Sequence, residues 1–309
     1  SCLTGETLVT MANGSQRRID SLNKGDKIIS IDENLMAVED TVEEKWQSGV
    51  KEVYRLKLKS GKEIKATKEH VFRTINGLRE LGSINIGDYI GTLKNKEFSG
   101  SSVTEDEAVL LAIWLADGNK AHNSFYFTKK SQEMINKVQD IAERNNLRMS
   151  VGKRDDYILS EIAPLEMDCS RYISSMSYSL RQRKGLDMEE SKRVALEMYN
   201  KRKSEKVSSF SPMEMLKKYG VNEMTTNTVR IPDCIFTADN KIVSVFLSYL
   251  FSCDGSAYGS SIEYYSNSKQ ICADISLLLA RFNITSTVSP KRVIYKDEVH
   301  LAYRLTVGG

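Results

Sequence analysis

The first hundred residues alternate between apolar and polar positions over short stretches separated by turn residues. In Val53–Lys59 apolar side chains recur at every second position, Ser60-Gly61 is typical of a turn, and Lys62–Thr67 resumes the alternation. Asp26–Ile31 and Asp88–Leu93 have the pattern of further strands. These stretches predict an all-β module over residues 1–98, which we call the N-terminal module.

Helical periodicity replaces this alternation after a small, polar junction at Phe98–Ser102. Thr104–Glu107 is a capping-box sequence ahead of an apolar helix, and the chain then repeats itself at an offset of 137 residues. The apolar stripe of one amphipathic helix recurs in the second copy, where Met134, Val138, Ile141 and Ala142 fall on Ile271, Ile275, Leu278 and Leu279. Each copy is predicted as helix, Asp-Gly, strand, helix and strand, so residues 99–309 should form an α+β pseudo-twofold domain.

The composition of the 309 residues is that of a folded protein, with 40% hydrophobic and 28% charged residues. No apolar run reaches the roughly 18 residues of a membrane helix, and the first residues have no signal-peptide pattern, so we expect a soluble, cytoplasmic protein without membrane contact. The five cysteines are scattered without CxxC spacing, which argues against a disulfide framework and a zinc cluster. We expect all of them except Cys2 to be structural.

Positive charge is concentrated in residues 171–218, which lengthen the first copy of the repeat. The whole chain has a net charge of +3, whereas this segment alone has 12 basic and 6 acidic side chains. Such a segment can neutralise nucleic-acid phosphates, or it can be a solvated helical linker. We favour a basic helical arm that contacts phosphates through Arg181, Arg183 and Lys184.

The clearest chemical signal lies at the end of each apolar helix, at Asp117-Gly118 and Asp254-Gly255. Helices that are apolar on every face must be buried, and small Ala112 and Ala116 would let the two approach closely. Their ends would then bring two carboxylates together, which repel unless a hard cation such as Mg²⁺ lies between them. This pattern predicts a metal-assisted phosphodiester hydrolysis site. The alternative is that each Asp-Gly only ends a helix; in both cases we expect the glycine in the left-handed conformation.

The segments Leu110–Gly118 and Leu247–Gly255 resemble the paired LAGLIDADG motifs of dodecapeptide homing endonucleases, and Arg230–Phe236 is similar to the segment before the second motif in intein-encoded members. The resemblance implies catalytic, metal-binding aspartates at 117 and 254, two β-sheets that read double-stranded DNA, and Mg²⁺ as the cofactor. Tyr249 and Arg230 depart from the family pattern, which favours a small residue and a lysine there. The candidates for phosphate contact are Lys129, Lys130, Arg230 and Lys269, with ordinary surface side chains as the alternative.

A second resemblance covers the N-terminal module. Ser1–Val9, Thr67–His70 and Leu81–Ile90 look like, in this order, the N-terminal blocks of an intein of the Hint fold. The thiol of Cys2 can attack the Ser1 carbonyl through a five-membered ring and convert the amide to a thioester, which needs no metal or other cofactor. The resemblance assigns Ser1 as the scissile junction, His70 as the proton donor and Thr67 as a hydrogen-bonding partner at that bond.

The C-terminal splicing blocks of an intein, with their terminal asparagine, do not occur up to Leu305–Gly309. The offset of 137 predicts that the sequence stops in the strand region of the second repeat, before that repeat would be complete. A C-terminal fragment supplied in trans, a truncation, or a remainder beyond this sequence are the three alternatives. Ser1 is either the last extein residue or a cloning remnant.

Together these features predict a multidomain protein, with an all-β Hint-type splicing domain over residues 1–98 and an α+β pseudo-twofold LAGLIDADG endonuclease domain over 99–309. The predicted function is autocatalytic protein splicing from Cys2, combined with site-specific double-strand DNA cleavage. The expected partners are the flanking extein and DNA, and we expect a monomer. Three alternatives stay open: an intein with an inactive nuclease, a DNA-binding module with a decayed splicing domain, and a hedgehog-type autoprocessing domain, which would not explain the duplicated Asp-Gly helices.

Overall fold

The computed structural model describes residues 2–93, 97–98, 100, 103–118, 124–128, 131–152, 156–295 and 298–308. The chain divides into two compact units: unit 1 comprises Ser1–Lys120 and Leu216–Gly309, and unit 2 comprises Ala121–Met215. Within the described ranges, no helix has the length and apolar character needed to span a bilayer. The predicted domain boundary after residue 98 does not coincide with the limits of these units and stays a prediction.

The described part of the N-terminal module consists of antiparallel hairpins. β1 (Leu8–Thr10) pairs with β2 (Gln16–Arg18), β3 (Lys27–Ile31) with β4 (Ala37–Thr41), β5 (Tyr54–Lys57) with β6 (Glu63–Ala66), and β7 (Val71–Thr74) with β8 (Gly77–Glu80). Short 3-10 helices follow β2 and β8, at Ile19–Ser21 and Leu81–Ser83. The all-β prediction is confirmed, including the hairpin around Ser60-Gly61, in which Leu56 faces Ile64.

The strand predicted at Asp88–Leu93 is wrong. Across these six described residues, only Ile90 pairs with another strand, in an isolated bridge to Thr74. The Asp88 carboxylate instead accepts the N–H of Asn85 at 2.8 Å and pairs with Arg79 at 3.3 Å. These residues therefore form a polar turn and a single bridge instead of a strand.

The N-terminal module contains an internal repeat that the sequence analysis missed. The Arg17–Asp26 ion pair, at 3.2 Å, recurs 62 residues later as the Arg79–Asp88 pair, at 3.3 Å. In each copy the asparagine three residues before the aspartate donates its N–H to the carboxylate at 2.8 Å. In each copy the arginine also donates to the carbonyl of the serine that ends the 3-10 helix. The two halves of the module are therefore built around the same polar turn.

The rest of the chain alternates helices with small antiparallel sheets. In chain order the elements are α1 (Glu105–Asp117), β9 (Phe125–Thr128), α2 (Gln132–Arg144), β10 (Arg148–Val151), β11 (Asp156–Ser160), α3 (Cys169–Lys184), α4 (Met188–Ser204), α5 (Pro212–Lys218), α6 (Asp233–Phe236), α7 (Asn240–Asp254), β12 (Gly255–Tyr258), β13 (Ser261–Ser266), α8 (Lys269–Ala280), β14 (Ser286–Tyr295) and β15 (Glu298–Val307). The capping box predicted at Thr104–Glu107 is present at the start of α1.

In unit 1 the two apolar helices α1 and α7 pack against each other. Leu110, Leu111 and Ile113 of α1, and Phe246 and Leu250 of α7, have no exposed surface. Helix α8 packs on a four-stranded sheet whose strand order is β12-β13-β15-β14. Helix α1 is buried from Glu107 to Trp114, as predicted, whereas α7 exposes Ser244, Ser248 and Ser252 along one side, so the prediction that both helices are apolar on every face is wrong for α7. Burying α1 and the apolar face of α7 removes a large apolar area from water.

Unit 2 contains a three-stranded sheet of order β10-β11-β9, the amphipathic helix α2, and the packed helix pair α3 and α4. Asp168 and Asp187 cap the two paired helices by accepting the N–H of Arg171 and of Glu190. Gly185 ends α3 with a φ of +66°, a conformation that glycine adopts without strain. The basic segment is therefore largely helical, whether or not it contacts DNA.

The 137-residue repeat is confirmed in the backbone. Ser131 and Ser268 cap α2 and α8 by accepting the N–H three residues further on, at 3.2 and 3.4 Å. Asn146 and Asn283 follow these helices with φ values of 51° and 59°, in the left-handed region. In each repeat the last strand lies between the two strands that flank the amphipathic helix, β11 between β9 and β10 and β15 between β13 and β14. The sequence stops in the strand region of the second repeat, as predicted, but only after β15, the counterpart of β11, which reaches Val307.

Contacts within unit 1 join the N-terminal module to the second repeat. The N–H of Val288 on β14 donates to the carbonyl of Ser60 at 2.8 Å. Gly61 has a φ of +86°, and a Cβ atom there would overlap the Val288 carbonyl oxygen. Lys269, at the start of α8, pairs with Glu63 at 3.0 Å. The turn of the β5–β6 hairpin is therefore held by the second repeat.

Candidate functional site

The first candidate site lies where the β5–β6 hairpin meets the beginning of the chain. Leu3 bridges to Ala66, the last residue of β6. The N–H of Cys2 donates to Thr67 Oγ1 at 3.0 Å, and the N–H of Thr67 donates to the Cys2 carbonyl at 3.0 Å. Thr67 is only 3% exposed. The amide nitrogen of the predicted scissile bond is thus held by the predicted partner, whereas Ser1 lies outside the described residues.

His70 lies one turn further along the same segment. Its backbone N–H donates to the Thr67 carbonyl at 3.0 Å. Its imidazole ring packs edge-on against Phe72, with the ring centroids 5.0 Å apart. The Nδ1 atom is buried and has no hydrogen-bond partner among the described residues. Burial lowers the pKa of the imidazole, which favours the neutral ring at pH 7. A neutral ring with a free nitrogen can accept a proton and later release it.

Two residues that the sequence analysis missed surround the Cys2 thiol. Lys51 Nζ lies 3.8 Å from Cys2 Sγ, and a hydrogen bond from Ser48, followed by the charge of Lys51, lowers the pKa of the thiol. By contrast, burial raises the pKa of both Cys234 and Cys272 to about 12. Ser48 and Lys51 lie in an irregular segment more than 45 residues from Cys2, so no local spacing could have indicated them.

The second candidate site lies at the ends of the packed helices α1 and α7. Asp117 and Asp254 are their last residues. Trp114, Leu115 and Ala116 in the last turn of α1 line one cavity of about 480 Å³ together with Asp254, but Asp117 itself is not among its lining residues. Tyr249 of α7 lies where the LAGLIDADG pattern favours a small residue. Its side chain is half-buried, and the two helices nevertheless pack against each other.

The predicted left-handed glycines at these helix ends are wrong. Gly118 has φ −61° and ψ 123°, and Gly255 has φ −79° and ψ 152°, both extended. A Cβ atom at Gly118 would overlap the Trp114 carbonyl oxygen, and one at Gly255 would overlap that of Phe251. Glycine is therefore required by the close approach of the preceding helical turn and not by its backbone dihedral angles.

The donor set at the helix ends fits a hard divalent cation that is shared with a substrate. Asp117 and Asp254 offer carboxylate oxygens, which Mg²⁺ prefers. Among the described residues no group of three or more His, Cys, Asp or Glu side chains could enclose a metal ion. Two carboxylates leave coordination positions for phosphate oxygens and water, as in Mg²⁺ sites that act on phosphates.

Lys291 lines the same cavity as Asp254 and was not identified from the sequence. Its ammonium lies 4.1 Å from the ring centroid of Tyr265. The first repeat has the basic pair Lys153-Arg154 near the corresponding position, outside the described residues. A comparison of basic positions between the two repeats would have found Lys291.

The predicted phosphate-contacting residues have different surroundings. Arg230 pairs with Asp233 at 3.6 Å, and Lys269 pairs with Glu63 at 3.0 Å. Arg181, Arg183 and Lys184 form the basic last turn of α3 in unit 2. Lys129 and Lys130 lie outside the described residues. Arg230 and Lys269 thus have acidic partners, and the contact of all these side chains with DNA stays a prediction.

Comparisons with known proteins give two family matches. The family model described as intein splicing domain matches residues 9–219, and the one described as LAGLIDADG-like domain matches residues 241–309. The replicative DNA helicases DnaB of Rhodothermus marinus and of Synechocystis sp. are 22% and 25% identical, each over the whole chain. The chain spans 30% and 33% of the lengths of these two relatives.

Two solved structures are also similar to parts of the chain. A DnaB intein from Synechocystis sp. is 32% identical over 28% of this chain and 65% of its own, with a TM-score of 0.28. The homing endonuclease I-DmoI, solved in complex with DNA and Mn, is 12% identical over 66% of this chain and 89% of its own, with a TM-score of 0.34.

Proposed function

The chain belongs to the intein splicing-domain family and contains a LAGLIDADG-like domain, and from this premise we propose that Cys2 starts splicing while Asp117 and Asp254 form the nuclease site. Protein splicing and DNA cleavage are the activities of these two families. We assign these activities to the residues named above. We also propose that double-stranded DNA and the flanking extein are the partners, and that the chain lies in the cytoplasm with the host protein.

The first splicing step transfers the acyl group of Ser1 from nitrogen to sulfur. Cys2 Sγ attacks the Ser1 carbonyl carbon, the C–N bond breaks, the C–S bond of the thioester forms, and the Cys2 nitrogen leaves as an amine. Thr67 Oγ1 accepts the N–H of this nitrogen and so fixes the orientation of the amide. The proton lost by the thiol has to reach the departing nitrogen, and the neutral imidazole of His70 is the group we assign to carry it.

The single observation that carries this proposal is the reciprocal pair of hydrogen bonds between Cys2 and Thr67. It holds the scissile nitrogen against a buried side chain, which limits rotation of the amide before the thiol attacks. The same pair of hydrogen bonds joins the start of the chain to Thr67, which directly follows β6 and lies three residues before His70.

A fusion with a reporter protein before Ser1 tests the assignment. Dithiothreitol should release the reporter from the wild-type chain, because a thiol cleaves the thioester. The Cys2→Ala variant should release none, and Thr67→Ala should slow release at least tenfold. Cys169→Ala, at a half-exposed cysteine of unit 2, is the matched control and should behave like wild type. Release from Cys2→Ala at the wild-type rate would refute the assignment.

At the nuclease site, Asp117 and Asp254 would hold the divalent cation, for which we propose Mg²⁺. When bound, the cation supplies positive charge that stabilises a phosphodiester during hydrolysis. The two carboxylates position it at the end of the α1–α7 pair, and Lys291 adds a positive charge in the same cavity. The packing of α1 against α7, through buried residues such as Ile113 and Leu250, supports this assignment.

Cleavage of a plasmid that contains the uninterrupted host site tests this part. We expect the wild-type chain to give linear plasmid with Mg²⁺ and no linear plasmid with EDTA. The Asp117→Asn and Asp254→Asn variants should bind the DNA with wild-type affinity but give no linear plasmid. Asp140→Asn, at an exposed position of α2, is the control. If the wild-type chain binds the site but does not cut it with Mg²⁺ or Mn²⁺, the nuclease assignment fails while the splicing assignment is unaffected.

A further inference from the structure

The Cys2 thiol opens into a cavity of about 1580 Å³, lined by residues 2–6, by the irregular segment 41–51, and by Thr67. Segment 41–51 follows β4 and precedes β5, and it forms one wall of this cavity. Lys51 is the cation of this wall whose ammonium contacts the sulfur, at 3.8 Å. The cavity is therefore where the thiol, its partner strand and a positive charge come together.

The other charged side chains of the cavity have different partners. Glu6 pairs with Lys65, Asp20 with Arg18, and the Lys45 ammonium donates to the Asp20 carbonyl at 2.8 Å. The remaining charged groups that line the cavity are Lys24, Glu43 and Glu44, and Glu69 lies beside Thr67. The carboxylates would favour a protonated thiol, and the hydrogen bond from Ser48 and the direct contact with Lys51 oppose them.

We propose that Lys51 is a catalytic residue of the first splicing step, which stabilises the Cys2 sulfur as a thiolate before it attacks the Ser1 carbonyl. This inference rests on the proposed role of Cys2. A thiolate is the nucleophilic form of cysteine, and a neighbouring lysine ammonium stabilises it by charge and by hydrogen bonding. Ser48 assists from the same segment, since its hydrogen bond also lowers the pKa of the thiol.

The chemistry of the step balances with this role. The thiol first loses its proton to solvent or to His70, and the thiolate pairs with the Lys51 ammonium. When the C–S bond forms, the sulfur loses its negative charge, the C–N bond between Ser1 and Cys2 breaks, and the Cys2 nitrogen leaves as an amine. The proton taken up by the departing nitrogen replaces the one that the thiol lost, so no further reactant is needed.

Alkylation of Cys2 by iodoacetamide measures the thiolate without requiring splicing. The rate is followed against pH in the full chain, with Cys2 identified by mass spectrometry of its peptide. Lys51→Met should lower the rate at pH 7 by about 3- to 10-fold, with convergence to the wild-type rate above the pKa of the variant thiol. Lys51→Arg should retain most of the wild-type rate.

Lys45→Met is the matched control, because Lys45 lies in the same segment and bonds to a backbone carbonyl instead of the sulfur. Alkylation of Cys169 in the same samples reports whether the fold or the reagent has changed. An unchanged pH profile for Lys51→Met would overturn the proposal.

The dithiothreitol release assay separates this proposal from the proposed function. We expect Lys51→Met to slow release by a factor similar to its effect on alkylation, and a rise in pH to restore the rate. If wild type does not release the reporter, the role of Cys2 fails whatever the alkylation shows. If wild type releases it and Lys51→Met does so equally fast at pH 7, only the role of Lys51 fails.

Discussion

Lys269 Nζ lies 3.0 Å from Glu63 Oε2, although the two residues are 206 positions apart in the sequence. Glu63 begins β6, the strand that ends at Ala66 beside Thr67, and Lys269 begins α8 of the second repeat. The hydrogen bond with Lys269 lowers the pKa of the Glu63 carboxyl. The strand that leads to the proposed splicing site is thus anchored to the LAGLIDADG-like part of unit 1.

A charge swap tests this anchor. Glu63→Lys and Lys269→Glu should each lower the free energy of unfolding by about 0.2–1 kcal/mol, because the pair is partly exposed. The double variant should recover most of the loss in urea unfolding. The same variants also test the DNA-contact prediction for Lys269: if that side chain contacts DNA, Lys269→Glu weakens binding and the second substitution does not restore it.

Gly61→Ala should lower the free energy of unfolding by about 1–3 kcal/mol, because both the backbone conformation and the nearby Val288 carbonyl oppose a side chain there. Gly77→Ala is the control, since Gly77 also has a positive φ, +94°, but nothing lies within 4 Å of its Cβ position. The difference between the two variants in urea unfolding isolates the contact with the second repeat. Equal losses would show that the contact contributes nothing.

Asp274 should make stability depend on pH. It is 2% exposed, accepts the N–H of Ile231 and the side-chain amide of Gln270, and burial raises its pKa from 3.8 to about 6. Between about pH 4 and 6 the folded chain therefore binds more protons at this group than the unfolded chain, so the free energy of unfolding falls as pH rises.

Asp274→Asn should remove this contribution, which is about 1–3 kcal/mol over that window. Unfolding in urea at several pH values measures it, with the exposed Asp140→Asn as the control. A variant whose stability keeps the full wild-type slope between pH 4 and 6 would contradict the prediction.

Replacing Arg181, Arg183 and Lys184 by Gln should flatten the salt dependence of DNA binding. Each phosphate contact contributes about 0.9 to the slope of log affinity against log salt, so the slope should decrease by about 2–3 if all three contact the backbone. Fluorescence anisotropy from 50 to 200 mM salt measures the slope. Replacing Lys24, Lys59 and Lys68 of the N-terminal module is the charge-matched control, and an unchanged slope for the α3 variant would show that α3 is only a linker.

One repeat was predicted and the other was missed, although both are present in the sequence. The 137-residue repeat includes amphipathic helices, whose periodicity draws attention to the alignment. The 62-residue repeat is a short polar pattern, Arg-x3-Ser-x-Asn-x-Gly-Asp-x-Ile, beginning at Arg17 and at Arg79. Its residues hold turns and not apolar faces, so hydrophobic periodicity does not reveal it.

The amino-acid sequence by itself determined the features that depend on neighbouring residues: the hairpin around Ser60-Gly61, the capped helices of both repeats, the two apolar helices and the order of the motifs. Each of these is specified by alternation, helical periodicity or a capping residue within a few positions. Tertiary structure alone decided the surroundings of the Cys2 thiol, the ion pair of Lys269 and the extended conformation of Gly118. These depend on atoms brought together from distant segments, or on the exact approach of a helical turn, and side-chain packing in three dimensions sets both.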